Sequence, residues 1–432
     1  MTASWHARCK TFATVAPTMP EQYDVLVIGG GPAGSTCARV LVAGGARVAV
    51  IDRSPEFPRT KLCGGWVSAA IWDVLELTPA AYPRGLWEWH TCHVHFRGKD
   101  HAIPCHGWFI RRYEFDDFLL RRSGAELHLG TQVKQIERDA DGLWAIGELR
   151  ARYLVGAGGT HCPVARMLAP VRPRRAAGAQ ELEFQVGADP IARTRLGKDG
   201  EPELLLLDDI GGYGWNVPKS DWLNVGCGTL DATEARGAWR TTYDHLRAAG
   251  HVPREAESQL DHLKGHSYFL YDPVHLDAAY RDRAFLVGDS LGLAHPMTAE
   301  GILPATLSAR RAAEAILAGD PESYPMRLRQ DPVLADYRRV HGLLNVARKV
   351  RDRISALASR PSAPGNGQAN GRSPDQAQAH DPAREQSYAP AHAHGHSSSF
   401  GRTAIARSFA WMFSGARLPA PRLLDLMLGG GD

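Results

Sequence analysis

No stretch of this 432-residue sequence reaches the about 18 uninterrupted apolar residues that a membrane-spanning helix needs, so any membrane contact is expected to be peripheral. The first twenty residues, through Pro20, hold no continuous apolar segment and only Arg8 and Lys10 as positive charges, which argues against a secretory leader; Met19 is an alternative start. Cysteine is sparse: there are seven, an odd number, widely spaced, without a CxxC pair or a metal-ligand spacing. That pattern speaks against a disulfide framework and for a reduced, cytoplasmic compartment, and no metal site is assigned. Charge of one sign is also missing. The formal net charge is +3, and basic residues nowhere interleave with aromatics, so nucleic acid is not expected as a partner. Residues 361–399 are rich in Pro, Gly, Ser, Ala and Gln and cannot bury enough apolar surface to offset chain entropy. They read as a disordered linker, with His392, His394 and His396 as solvated members of it.

What is present is ordinary globular composition, 44% hydrophobic and 22% charged, with length for roughly two domains. Residues 23–53 read as strand, tight glycine turn, helix closed by Gly44 and Gly45, and second strand: one βαβ unit. A helix from Tyr113 to Gly124, strands over 125–138 and 141–148, and a buried strand ending in Gly156 are consistent with a return to the same sheet. Over 178–282 the pattern changes to alternating segments that predict a largely antiparallel sheet. A strand ending at Gly288 and the helix capped by Gly319 bring the chain back. The expected fold class is therefore α/β, a Rossmann-type dinucleotide-binding domain interleaved with an antiparallel-sheet substrate domain, plus C-terminal helices. Its expected divisions are a disordered extension over 1–22, the nucleotide unit over 23–177 and 283–320, the substrate sheet over 178–282, helices over 321–360, the linker, and a tail over 400–432. Residues 336–360 form a basic amphipathic pattern with Val340, Leu343, Leu344, Ala347, Val350 and Ile354 on one stripe, suited to packing on the domain or to lying on a membrane surface.

The sharpest local motif is Gly29, Gly31 and Gly34, a GxGxxG directly after an apolar strand, with Pro32 and Ala33 opening a helix. Gly29 permits the turn, Gly31 lets the backbone approach a pyrophosphate, and Gly34 brings the helix close to the sheet. The helix N-terminus offers amides and positive dipole to the phosphates. Asp52, followed by Arg53 at the end of the next strand, is placed to hold ribose hydroxyls. This geometry fits NAD and FAD alike. A second motif points to FAD: Gly288 and Asp289 end a later strand and are followed by Pro296, Gly301 and Ile302. An Asp there can reach the ribityl chain that only a flavin has, and a helix starting near Gly301 would aim its amides at the flavin ring. The plainer alternative for Asp289 is a helix cap.

The runs Pro58 to Ser68, Gly212 to Gly228 and Val287 to Ile302, in that order, resemble the geranylgeranyl reductase family of flavoproteins, within the para-hydroxybenzoate hydroxylase-like class; the resemblance covers about residues 23–320. It implies that Lys61, Cys63, Gly64 and Gly65 form the family's KxCGG loop beside the isoalloxazine ring. It also implies that Tyr213, Trp215 and Pro218 carry the YxWxFP motif, with Val217 in the Phe position, and that Arg112, Phe115 and Asp116 match RxxFD with the Arg near the flavin. The chain departs from related hydroxylases at Gly156, Ala157, Gly158 and Gly159, where GADG is usual. That puts a borrowed nicotinamide contact in doubt.

The resemblance implies an FAD-dependent reductase that saturates an isoprenoid double bond, taking electrons from NADPH or a ferredoxin and acting on a small-molecule or prenyl-lipid substrate. Such a reaction needs a proton donor close to the ring. Cys63 is the first candidate and Tyr213 the second, while Trp215 walls an apolar channel; the plainer alternatives are a gap-filling thiol and ordinary core aromatics. Asp116 and Asp117, adjacent on a helix, cannot face each other as a catalytic pair. Two rivals stand beside this reading: a flavin monooxygenase or halogenase acting through a C4a-hydroperoxide, and an electron relay to a membrane partner through the basic C-terminal helices.

Overall fold

The computed structural model describes residues 21–61, 63–168, 175–186, 200–207 and 211–358. The expected N-terminal extension, linker and tail, with His392, His394 and His396, lie outside the described residues apart from Glu21 and Gln22.

The central strand of the first sheet, Glu21–Ile28, buries Val25, Leu26 and Val27 completely, because parallel neighbours flank it and helices cover both faces. From edge to edge the sheet runs Tyr280–Arg281, Ala284–Leu286, Leu149–Gly156, Glu21–Ile28, Val48–Ile51 and Glu126–His128. The last five are mutually parallel. Its short antiparallel flap, Glu137–Arg138 with Trp144–Ile146, pairs onto Leu149–Gly156. The helix Pro32–Ala43 follows the glycine turn, and the helix Ile302–Leu317 packs directly against it. The chain therefore leaves the nucleotide unit and returns to its centre, as expected.

The second sheet runs Lys264–Phe269, Ala176–Gln185, Trp222–Thr229, Gly212–Lys219, Glu203–Leu206, Leu86–Phe96, Lys99–Ile110 and Trp66–Val67. All its pairs are antiparallel except Glu203–Leu206 against Leu86–Phe96. Three of these strands come from 66–110, so the second sheet draws chain from both sides of the strand Leu149–Gly156. The long hairpin 86–110 does not appear in the sequence reading, although its turn chemistry is visible: Arg97 and Gly98 both take positive φ, 49° and 71°, as a two-residue hairpin loop requires. Histidines and a proline dilute its apolar alternation. Conversely, 125–138 is mostly irregular, with strand only at Glu126–His128 and Glu137–Arg138. The helix read from Tyr113 spans Arg112–Arg122.

The helix Pro332–Ala358 docks by its first half, where Val340 is buried and Leu343 and Leu344 pack on the second sheet's core. Val346 and Val350 further along are exposed. No helix among the described residues is long and apolar enough to cross a membrane.

Candidate active site between the two sheets

The parallel strands Glu21–Ile28, Leu149–Gly156 and Ala284–Leu286 point their C-terminal ends toward one cavity of about 170 Å³, whose opposite wall is the second sheet. From the first unit come Pro32, Ala33, Ala157, Val287, Asp289, Gly301 and Ile302; from the second come Ala179, Glu181, Tyr213 and Trp215. The loop residues Lys61, Cys63 and Gly64, together with Trp66 and Arg112, close the remaining side. The segments singled out in the sequence thus converge, although they lie far apart along the chain.

The glycine turn has the geometry a dinucleotide needs. Gly29 takes φ +112°, and a Cβ on Gly34 would fall 1.8 Å from the Gly29 carbonyl oxygen, so helix and turn can touch only through glycine. A Cβ on Gly31 would meet nothing nearer than Arg59 Nη2 at 3.6 Å. The space in front of Gly31 is open. Asp52 is buried and accepts from the Gly30 N–H at 2.7 Å and the Ser54 N–H at 2.8 Å, which fixes its carboxylate at the strand end. Arg53 is exposed beyond it. Both helices that point at the cavity, Pro32–Ala43 and Ile302–Leu317, start on glycine without a side-chain cap, so their first amides remain available to an anionic or polar ligand. These features fit FAD: the residues present offer a phosphate cradle at one helix N-terminus and amides at the other.

Arg112 is aimed by a bidentate pair with Asp116, at 2.6 and 2.8 Å. Asp117 pairs instead with Arg121, so the two adjacent carboxylates face different partners. Lys61 approaches His266 Nε2 at 3.4 Å; burial and then the nearby Arg112 pull its ammonium below the usual lysine range. Burial pushes the Asp289 carboxyl up, against the pull of Lys61 and Arg112. Gly65 lies behind the cavity wall, its carbonyl accepting from the Ile110 N–H. Gly288 and Pro296 are buried behind it too, shaping the turn rather than lining the cavity.

Cys63 is a free thiol whose Sγ accepts from the Gly65 N–H at 3.4 Å. Burial raises its pKa against the opposing field of Arg112, so it keeps its proton at neutral pH. Tyr213 is placed differently from a free donor: its hydroxyl donates to the Thr298 carbonyl at 2.6 Å and ties the second sheet to the loop before Gly301. Replacing it with Phe should cost about 1 kcal/mol of stability and leave turnover within about tenfold of the parent, a split checked by thermal melting and single-turnover rates. Trp215 donates through Nε1 to Asn224 Oδ1 at 2.7 Å. A Cβ on Gly226 would sit 2.2 Å from its indole ring, so the neighbouring strand can pass the ring only through a glycine at that position.

Two carboxyls in the cavity wall escaped the sequence reading. Glu300 has a buried Oε1 without a hydrogen-bond partner among the described residues, and burial pushes its pKa up to about 8. Glu181, on the strand Ala176–Gln185, is raised to about 7, burial again being the main cause. The available clue to Glu300 was its place directly before Gly301; nothing in the sequence marks Glu181. The loop carrying Glu300 is held by a buried His295, whose Nδ1 accepts from the Met297 and Thr298 amides. Burial keeps that imidazole neutral, its pKa lowered to about 3. The same turn holds Ala299 at φ +57°, a conformation that costs a non-glycine residue about 1–3 kcal/mol. Because Glu300 holds a proton in the folded state that the unfolded chain loses above its ordinary value of 4.5, its contribution is full below that pH and disappears as pH rises through about 8. Melting of flavin-free protein should therefore show Glu300→Gln gaining on the parent as pH rises from about 5 to 8, whereas parallel curves would contradict a buried neutral carboxyl.

Parallel sheet, glycine turn and uncapped helix ends together define a flavoprotein of the FAD-binding Rossmann class. Comparison with known proteins agrees: the family described as FAD binding domain matches residues 22–66. An uncharacterized protein of Methanosarcina barkeri is 30% identical over 313 residues, 68% of this chain and 75% of its own. A digeranylgeranylglycerophospholipid reductase of Methanothermobacter thermautotrophicus is 27% identical over 337 residues, 70% of this chain and 80% of its own. Among solved structures, a geranylgeranyl bacteriochlorophyll reductase-like protein of Thermoplasma acidophilum shares the fold, with a TM-score of 0.57 and 20% identity over 75% of this chain and 87% of its own. A flavin-dependent halogenase shares it as well, with a TM-score of 0.56 and 20% identity over 76% of this chain and 64% of its own. The chain belongs to the geranylgeranyl reductase family of FAD-dependent oxidoreductases.

Proposed function

We propose that this oxidoreductase reduces carbon–carbon double bonds of an isoprenoid, geranylgeranyl-type substrate. FAD, once reduced, supplies hydride in such chemistry. The chain's own residues do the rest. Gly29, Gly31, Gly34, Pro32, Ala33, Asp52 and Arg53 hold the adenosine and pyrophosphate end; Lys61, Gly64, Gly65, Arg112, Gly288, Asp289, Pro296, Gly301 and Ile302 shape and hold the flavin end. Trp66 and Trp215 wall the space beside Cys63 with apolar surface, which suits a prenyl chain and excludes water. Cys63 gives its proton to the carbon that does not receive hydride.

The observation that carries this reading is a protonated, free thiol in an aromatic-walled cavity bounded by two uncapped helix N-termini. The kinship with a digeranylgeranylglycerophospholipid reductase supports the substrate class. NADPH or a ferredoxin serves as electron donor, and the exposed Val346 and Val350 on the basic helix Pro332–Ala358 suit peripheral contact with the membrane that carries a prenyl lipid. The test is anaerobic incubation of the reduced protein with prenyl lipids, followed by mass spectrometry. Substrate that gains pairs of hydrogens is the expected result. Unchanged lipid together with hydroxylated or halogenated product in air would replace this reading with the oxygenase one.

A further inference from the structure

Away from the flavin cavity, on the second sheet, three buried side chains from three separate segments converge: His95 on Leu86–Phe96, Glu203 on Glu203–Leu206 and His251 after the helix Ala235–Ala248. Their ligand atoms lie within 4.8 Å of one another, and none of the three lines the cavity. Glu203 Oε1 receives His251 Nδ1 at 2.5 Å and faces His95 Nε2. Glu203 Oε2 is steadied by the Asn216 amide at 3.4 Å.

The network is incomplete as a purely hydrogen-bonded one. His95 Nε2 faces the same Glu203 oxygen that His251 Nδ1 already occupies, and His251 Nε2 is buried with no partner among the described residues. A buried imidazole nitrogen left unpaired costs about 1–3 kcal/mol. The other nitrogen of His95, Nδ1, is held by the exposed carboxylate of Asp100. A carboxylate behind one ring nitrogen is the arrangement that sets a metal-binding histidine's tautomer and leaves its other nitrogen's lone pair facing the ion. His245, exposed on the helix Ala235–Ala248 with its ring centroid 5.5 Å from that of His95, stands at the open side.

We propose that His95, Glu203 and His251 bind a divalent transition-metal ion of the zinc class, with Asp100 orienting His95 and His245 or water completing the coordination. Two imidazoles and one carboxylate suit zinc and its neighbours rather than calcium or magnesium, which prefer oxygen alone. The competitor is a proton, which can instead bridge His95 between Asp100 and Glu203. Bound metal would pin the hairpin 86–110, the strand Glu203–Leu206 and the segment after Ala248 to one another, a staple for the substrate sheet that leaves the flavin chemistry untouched.

The test uses the full chain, tag removed, in a background where His392, His394 and His396 are replaced by alanine so that the histidine tract cannot supply the metal. Protein purified without chelator is expected to carry near-stoichiometric zinc by elemental analysis. Chelator-stripped protein is expected to take up Co2+ with a visible difference spectrum and a raised melting temperature. Asp100→Asn, at an exposed position, should weaken Co2+ binding by about 10–100-fold, and Glu203→Gln should abolish it, with bound flavin absorbance reporting that each variant is folded. Flavin-loaded parent that takes up no more Co2+ than Glu203→Gln, or that melts at the same temperature with and without the metal, would overturn the proposal.

Discussion

Gly31→Ala is expected to fold and melt like the parent, yet lose FAD affinity by at least about tenfold, and Gly34→Ala to lose both. The difference follows from what an added methyl would meet. At Gly31 the protein leaves 3.6 Å to the nearest atom, so the methyl intrudes only where a pyrophosphate must approach. At Gly34 it lands 1.8 Å from the Gly29 carbonyl oxygen, and backbone on both sides cannot give way. Overpacking of this sort costs about 1–3 kcal/mol or more, and each 1.4 kcal/mol is about tenfold in affinity. Flavin absorbance per protein in purified samples, with calorimetric titration of FAD into stripped protein, measures one half; thermal melting of the stripped protein measures the other. Parental flavin content in Gly31→Ala would remove the dinucleotide from this turn.

Cys63→Ala is expected to slow double-bond reduction by about 10²–10⁴-fold, the range for loss of a positioned proton donor, while flavin content and the rate of flavin reduction by dithionite stay unchanged. Serine at the same position should recover part of the loss, because a hydroxyl can still donate. Single-turnover mixing of pre-reduced protein with substrate isolates the step. The same measurement on Glu300→Gln decides between the thiol and the carboxyl across the cavity: a larger loss there than in Cys63→Ala would transfer the donor role to Glu300, whose proton is likewise retained near neutral pH.

Much of the nucleotide unit is legible in the sequence because its physics is local. Glycines at fixed offsets after an apolar strand admit one turn geometry, and the residues Gly29, Gly31, Gly34 and Asp52 are found at the end of parallel strands as that geometry requires. The motif at Gly288, Asp289, Gly301 and Ile302 is legible because a single stretch of chain, from the strand end at Leu286 to the helix start at Ile302, carries all of it. Tertiary partnership is not. Tyr213 reads as a free phenol until the Thr298 carbonyl is seen beside it, and Glu181 is one alternating residue among several until burial raises its pKa. The hairpin 86–110 hides because its inward residues Trp89, Val94 and Phe96 are interspersed with histidines, two of which, His93 and His95, meet the carboxylates of Glu201 and Glu203 from a segment about a hundred residues away.

The parallel pairing of Glu203–Leu206 with Leu86–Phe96 stitches chain from before the strand Leu149–Gly156 to chain from after it. Neither unit can therefore be cut out as a contiguous piece: a fragment starting at 175 would carry five of the eight strands of its sheet and expose the raw edge of Glu203–Leu206, an invitation to aggregate. The second sheet can therefore be transplanted between relatives only as two paired inserts, one from each side of the strand Leu149–Gly156.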